Sequence, residues 1–219
     1  MRKLVIFGLG DIAKLAHYYF DQDSDHRVVA FTVDASHRRT DEFCSLPVVS
    51  FESVATMFAP RDHDLFVAVS YAQMNRLRAT KCDEAARAGY RLATYTSSRA
   101  TVMTTFVAGE NCFILEGAIV QPFARIGRNV TIWSGAHVGH DSIIEDHCFL
   151  APNVAISGNV RVREYSFLGV NSTVRNSVTV APRTLVGAGA VILGDTDEGG
   201  VYAAPRARRL SMRSEEISP

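Results

Sequence analysis

The stretch that decides the fold is ILEGAIVQPFARIGRNVTIWSGAHVGHDSIIEDHCFLAPNVAI, residues 114–156. From Ile114, every sixth residue is a large aliphatic: Val120, Ile126, Ile132, Val138, Ile144, Leu150 and Ile156, then Val162, Leu168, Val174, Val180, Val186 and Ile192. About a quarter of the chain is Ile, Leu or Val, so fourteen such slots in a row would arise by chance roughly once in 10⁸ frames; the repeat is real. The slot four residues on is as restricted and small: Ala118, Ala124, Val130, Ala136, Ser142, Cys148 and their successors. A β-sandwich would alternate with period two. Period six asks instead for a parallel β-helix of triangular section, with one short strand per face. The aliphatic fills the prism and the small residue lets the chain turn its corner. Three hexads make a coil, so residues 18 apart are expected to stack at the strand spacing of about 4.8 Å.

The pattern is different before residue 102. Short apolar runs (KLVIF, RVVAFTV, DLFVAVS) alternate with helical patterns (DIAKLAHYYF and MNRLRATKCDEAARAGY). That alternation predicts a small α/β unit with a parallel sheet, in which Asp11 caps the first helix and Gly89 ends the last. The expected division is an α/β, Rossmann-like unit over 1–98, the β-helix over 99–198 and a tail over 199–219.

Bulk properties narrow the function. The chain has 219 residues, 47% apolar, and equal numbers of basic and acidic groups. It lacks the basic footprint of a nucleic-acid binder. No window approaches the roughly 18 consecutive apolar residues of a membrane span. The opening MRKLVIFGLGD reads as a first strand and not a signal peptide. Cys44, Cys82, Cys112 and Cys148 are far apart and form no CxxC pair, so a cytoplasmic protein with reduced thiols is expected.

Three histidines, His137, His140 and His147, fall within eleven residues. A catalytic zinc needs about three converging ligands. These three leave different positions of their hexads and no His follows 147 in the repeat, so no metal is expected. His140 follows the inward Val138 by two positions, which places it on the outer surface. Imidazole has the intrinsic pKa of a general base near neutral pH.

The six-residue repeat over 102–196 resembles the hexapeptide-repeat acyltransferases, whose domain is a left-handed parallel β-helix. With the α/β unit in front, the whole chain resembles the group of sialic acid O-acetyltransferases and bacillosamine-pathway and perosamine N-acetyltransferases. The resemblance implies a homotrimer with sites between subunits, using acetyl-CoA to acylate an amino or hydroxyl group of a nucleotide-linked sugar. In that family the base lies in a His-Asp or His-Glu pair, which Gly139-His140-Asp141-Ser142 matches. His140 is thus the expected base and Asp141 its partner. One coil on stands Gly158, expected to leave room for the thioester and to offer an N–H to the oxyanion. Val170 and Ala188 match backbone positions along the pantetheine arm. AAPRARR resembles the family's ending, where Arg206, with Arg208 and Arg209, would meet the CoA phosphates.

Gly8-Leu9-Gly10-Asp11 follows a strand and opens a helix, the setting in which a glycine turn binds phosphate. Asp34 ends the second strand, where a carboxylate meets a ribose hydroxyl. About 95 residues are too few for both halves of a dinucleotide fold, so a single nucleotide fits better. In the resembling enzymes this unit holds the nucleotide of the sugar substrate, with help from the loop at Ser70-Tyr71; Arg78 is expected near the phosphates. A purely architectural α/β unit fits the same residues.

Three positions depart from the family: Trp133 and Phe149 stand where it has Asn and often a second His, and Tyr71 replaces a small polar residue. Trp133 is expected to contact the acceptor, as a sugar-stacking ring or as part of a reshaped pocket. N- and O-acetylation stay equally compatible with the residues. A non-catalytic trimeric scaffold and a zinc hydratase are the alternatives from other classes; the first would bind no CoA and the second would hold stoichiometric metal.

Overall fold

The computed structural model describes residues 1–103, 108–209 and 211–216. Residues 104–107 of the expected β-helix range, and 210 and 217–219 of the expected tail, lie outside them.

β1 (Arg2–Phe7), β2 (His26–Val33), β3 (Glu42–Phe43), β4 (Leu46–Ser50), β5 (His63–Val67) and β6 (Arg91–Leu92) form one sheet in the order β3-β4-β2-β1-β5-β6. All neighbours are parallel except the β3–β4 hairpin. Leu4 and Ile6 enter one core with Ala13, Ala16 and Phe20 of α1 (Asp11–Gln22). Val5 and Phe7 enter the other with Val54 of α2 (Val54–Met57) and Cys82 and Ala85 of α3 (Arg76–Arg87). Covering both faces explains why β1 is apolar throughout and not alternating. The β3–β4 hairpin lies outside the alternation read from sequence; β3 has only two residues, neither of them buried, and β4 contributes the buried Val48 and Val49.

Of the two helix ends read from the sequence, the first differs and the second does not. Gly10, not Asp11, is the N-cap; Asp11 is the first helical residue and makes no capping bond. Gly89 follows α3 with φ +90°, as a C-terminal glycine should.

The second half is a parallel β-helix with three faces. One is built from Phe113–Ile114, Thr131–Ile132, Phe149–Leu150, Phe167–Leu168 and Leu185–Val186. The second runs from Ile119–Val120 through His137–Val138, Ala155–Ile156 and Thr173–Val174 to Val191–Ile192; the third is Arg125–Ile126, Ile143–Ile144, Arg161–Val162 and Thr179–Val180. Partners are 18 residues apart, as in Ile119↔His137 and His137↔Ala155. The inward aliphatics are buried, Ile126 being the most exposed at 6%. Each contributes about 1.5–3 kcal/mol of apolar burial.

The corners repeat too. The residue three after each inward aliphatic has positive φ from Gly117 through Phe123, Asn129, Gly135 and Asp141 to Gly189. Asn, Asp and Gly predominate there because they tolerate the left-handed region, where other side chains crowd the following carbonyl.

The halves share structure. β7 (Tyr95–Thr96) pairs with Phe113–Ile114, and β8 (Thr101–Val102) with Ile119–Val120, so the first coil begins at the last strands of the α/β half. Phe113 and Leu115 belong to the same core as Leu4 and Phe20.

Candidate active site

Val138 points into the prism and the chain turns outward at Gly139. A side chain at Gly139 would meet the Ser157 backbone at 2.5 Å. His140 follows at the corner with its side chain 56% exposed. Its N–H donates to Gln121 Oε1 (2.9 Å), and its carbonyl accepts from the Asn159 N–H (2.9 Å). Asp141 sits in the left-handed slot (φ +58°), and Asp141 Oδ2 lies 2.9 Å from His140 Nδ1. An ionised carboxylate can only accept, so for a neutral imidazole this contact assigns the proton to Nδ1 and leaves the lone pair on Nε2.

Gly158 faces that ring. A Cβ at residue 158 would lie 2.5 Å from His140 Nε2, so any other residue there would push the imidazole aside. Among the described residues the Gly158 N–H has no acceptor. The corner therefore presents an oriented basic nitrogen beside a free backbone donor.

Val170 and Ala188 do stack 18 apart and are exposed, but above Ser134, on the corner between the first and second faces. His140 and Gly158 occupy the corner between the second and third. One chain therefore sets these residues on the two corners that bracket one face. Arg206, Arg208 and Arg209 are exposed beyond the last strand.

The other residues gather around a cleft of about 600 Å³ in the α/β half. Gly8, Gly10, Asp11, Asp34, Ser70 and Tyr71 all line it. Gly8 is held at φ +127° with Ala68 O 2.7 Å from where a Cβ would be, whereas Gly10 has open space around it. Lys81, which the sequence reading passed over, also lines the cleft; its Nζ bonds Asp34 Oδ1 (2.7 Å) and Glu84 Oε2 (2.8 Å). Its spacing four residues before Ala85 on α3 marked it as core-facing, and a lysine on a core face is a usable signal. Among the described residues, no β-helix coil contributes to this cleft and no hydrogen-bond partner of His140 comes from the α/β half.

Arg78 does not reach a phosphate site. Its guanidinium is buried, donating to Asn129 Oδ1 (2.8 Å), to the Asn129 and Cys148 carbonyls (3.1 and 3.3 Å), and to the Val69 and Ser70 carbonyls (3.4 and 3.3 Å). Burial lowers its pKa to about 10, which leaves it charged at neutral pH. It ties the cleft loop to the β-helix corner. Arg78→Met is expected to destabilise the fold by about 2–4 kcal/mol, read as a lower urea midpoint, because several carbonyls lose a buried donor; an unchanged midpoint would show that the fork carries no stability.

The remaining aromatic and histidine positions have structural partners. Trp133 is half-buried against both cores, 6.3 Å from Phe149, with Nε1 buried and, among the described residues, unpartnered. Phe149 is buried, stacked on Phe167 (5.4 Å) and met edge-on by Tyr71 (5.4 Å). His147 is buried, bonded through Nδ1 to Asn129 Nδ2 (2.9 Å) and stacked on Tyr165 (4.7 Å). His137 is half-buried on the second face.

The bacterial transferase hexapeptide family matches residues 109–140 and 123–158. Perosamine N-acetyltransferase from Caulobacter crescentus, solved with CoA and GDP-perosamine, superposes with a TM-score of 0.83 at 28% identity over 93% of this chain and 94% of that one. The acetyltransferase domain of PglB from Neisseria gonorrhoeae, solved with acetyl coenzyme A, gives 0.82 at 27% identity over 95% and 99%. An acyl-[acyl-carrier-protein]–UDP-N-acetylglucosamine O-acyltransferase of Pseudomonas paraeruginosa is 30% identical over 96 residues; the match spans 41% of this chain and 37% of that relative. The protein has the α/β-plus-left-handed-β-helix architecture and the repeat of the hexapeptide-repeat acyltransferases. Its likeness to perosamine N-acetyltransferase and to the PglB acetyltransferase domain runs nearly full length.

Proposed function

We propose that the chain is an acetyl-CoA-dependent N-acetyltransferase acting on an amino group of a nucleotide-linked deoxysugar, in the cytoplasm, for cell-surface polysaccharide assembly. The observation that carries this reading is the His140–Asp141 pair with Gly158 against its ring. The Caulobacter neighbour supports it, having been solved with CoA and GDP-perosamine in forms with a histidine changed to Asn or Ala.

In this reading His140 Nε2 takes a proton from the neutral sugar amine as its nitrogen attacks the thioester carbonyl. The Gly158 N–H bonds the oxyanion of the tetrahedral adduct. Collapse breaks the C–S bond, and the imidazolium returns its proton to the departing CoA thiolate, giving an amide and free CoA. The α/β cleft receives the nucleotide, with Gly8, Gly10, Asp11, Asp34 and Ser70 around it, and Trp133 flanks the acceptor. Val170, Ala188 and Arg206 lie along the CoA track. Because Val170 and Ala188 occupy a different corner from His140, a homotrimer in which one subunit's corner faces its neighbour's completes the site.

The test is thermal-shift screening with acetyl-CoA and UDP-, GDP- and dTDP-linked aminosugars, followed by product analysis. Acetyl-CoA and one sugar are each expected to raise the melting temperature, since ligands that bind only the native state stabilise it. Sugar O-acetylation by the same base is the second reading, favoured by the similarity to an O-acyltransferase. A product that loses its acetyl group to hydroxylamine would decide for it; no shift with acetyl-CoA would sink both.

A further inference from the structure

The left-handed corner slot holds four bulky residues whose packing can be compared. His147 and Tyr165 stack on each other, and Arg183 pairs with Glu198. Phe123 also has positive φ (+67°), yet its ring is 72% exposed and, among the described residues, meets no other aromatic. A non-glycine residue in this region is strained, and among the described residues Phe123 has neither the ring stacking of His147 and Tyr165 nor an ion pair like that of Arg183.

Its location supplies the reason. Phe123 stacks one coil below Asp141, since Ile119–Val120 pairs with His137–Val138 and the Asp141 N–H donates to the Pro122 carbonyl (3.2 Å). Gln121, two residues earlier, holds the His140 N–H. Gly158 lies on the opposite, C-terminal side of the imidazole. The positions assigned to the acyl donor all continue that way, toward Val170, Ala188 and Arg206. The nucleophile must approach from the other side of His140, the side on which the α/β half joins the first coils.

We propose that the Phe123 ring forms the acceptor-side wall of the site and stacks on the apolar C–H face of the sugar, making it a specificity determinant for deoxysugars. This inference rests on the acetyltransferase reading above. An aromatic face gains most against a ring surface whose hydroxyl has been replaced by a methyl group.

The experiment compares wild type with Phe123→Asn, which suits the left-handed slot as Asn111, Asn129, Asn153, Asn159 and Asn171 do. UDP-, GDP- and dTDP-linked 4-amino-4,6-dideoxyhexoses serve as acceptors, and the best wild-type substrate is carried forward. The expected result is an acceptor KM raised about tenfold, with the acetyl-CoA KM unchanged, the melting temperature equal or higher, and Phe123→Trp close to wild type. An unchanged acceptor KM would overturn the inference while leaving the acetyltransferase reading intact. A loss of oligomer mass on sedimentation would also overturn it, by assigning the ring to a second copy. Absence of wild-type turnover with every acceptor would sink the acetyltransferase reading first and this inference with it.

Discussion

Replacing His140 with alanine is expected to lower kcat by about 10²–10⁴-fold with the correct acceptor, the range a positioned general base contributes. The melting temperature should hardly move, because the ring is half-exposed at a corner and its removal opens no cavity. Asp141→Asn should cost less, since an amide can still accept from Nδ1–H but no longer stabilises the imidazolium. Steady-state kinetics at saturating acetyl-CoA checks both. If the alanine variant retains wild-type kcat, the base is another group.

A second large effect is expected at His147, through stability and not turnover. Burial, reinforced by the positive charge of Arg128, lowers its pKa to about 4. The unfolded chain, with histidine near 6.5, therefore binds the extra proton first as pH falls. The stabilising contribution is complete above about pH 6.5, declines on acidification through the interval down to about pH 4, and is gone below it. Its size is about 3 kcal/mol. Asp23, held down to about 2 chiefly by its hydrogen bonds to Ser98 and Tyr95, loses its contribution only at lower pH, so the two windows separate. His147→Asn suits the left-handed slot and cannot titrate. Urea unfolding at pH 7.5 and 4.5 should show a large loss in wild type and a small one in the variant. Equal losses would mean that His147 is not the acid-sensitive group.

The three clustered histidines show how legible the site was. The six-residue frame identified what lies inside the prism, and the 18-residue stacking put Gly158 beside His140. The reason for that glycine was not legible, because it depends on which way the imidazole leans. Asp141 meets its neighbour from a left-handed backbone position, and the signal for that position was present: Asn, Asp and Gly predominate three residues after the inward aliphatics. Lys81 and Arg78 were harder. A helix pattern tells which face is inward but not what waits there, and here a cleft carboxylate and a β-helix corner meet adjacent turns of one helix. The placement of Val170 and Ala188 on another corner follows from counting hexads, since 170 and 140 differ by 30, which is not a whole number of coils.

The sharing of strands between the halves bears on how the molecule comes apart. Tyr95–Thr96 is an edge strand of the β-helix, and Asn111 at a β-helix corner exchanges hydrogen bonds with Val67 in the α/β sheet. Arg78 adds a third tie. The α/β half and the first coils cannot separate without exposing each other's buried polar groups, so these two parts are expected to unfold together. The repeat, which alone would fray coil by coil from either end, is clamped at its first coil and left to loosen from its last.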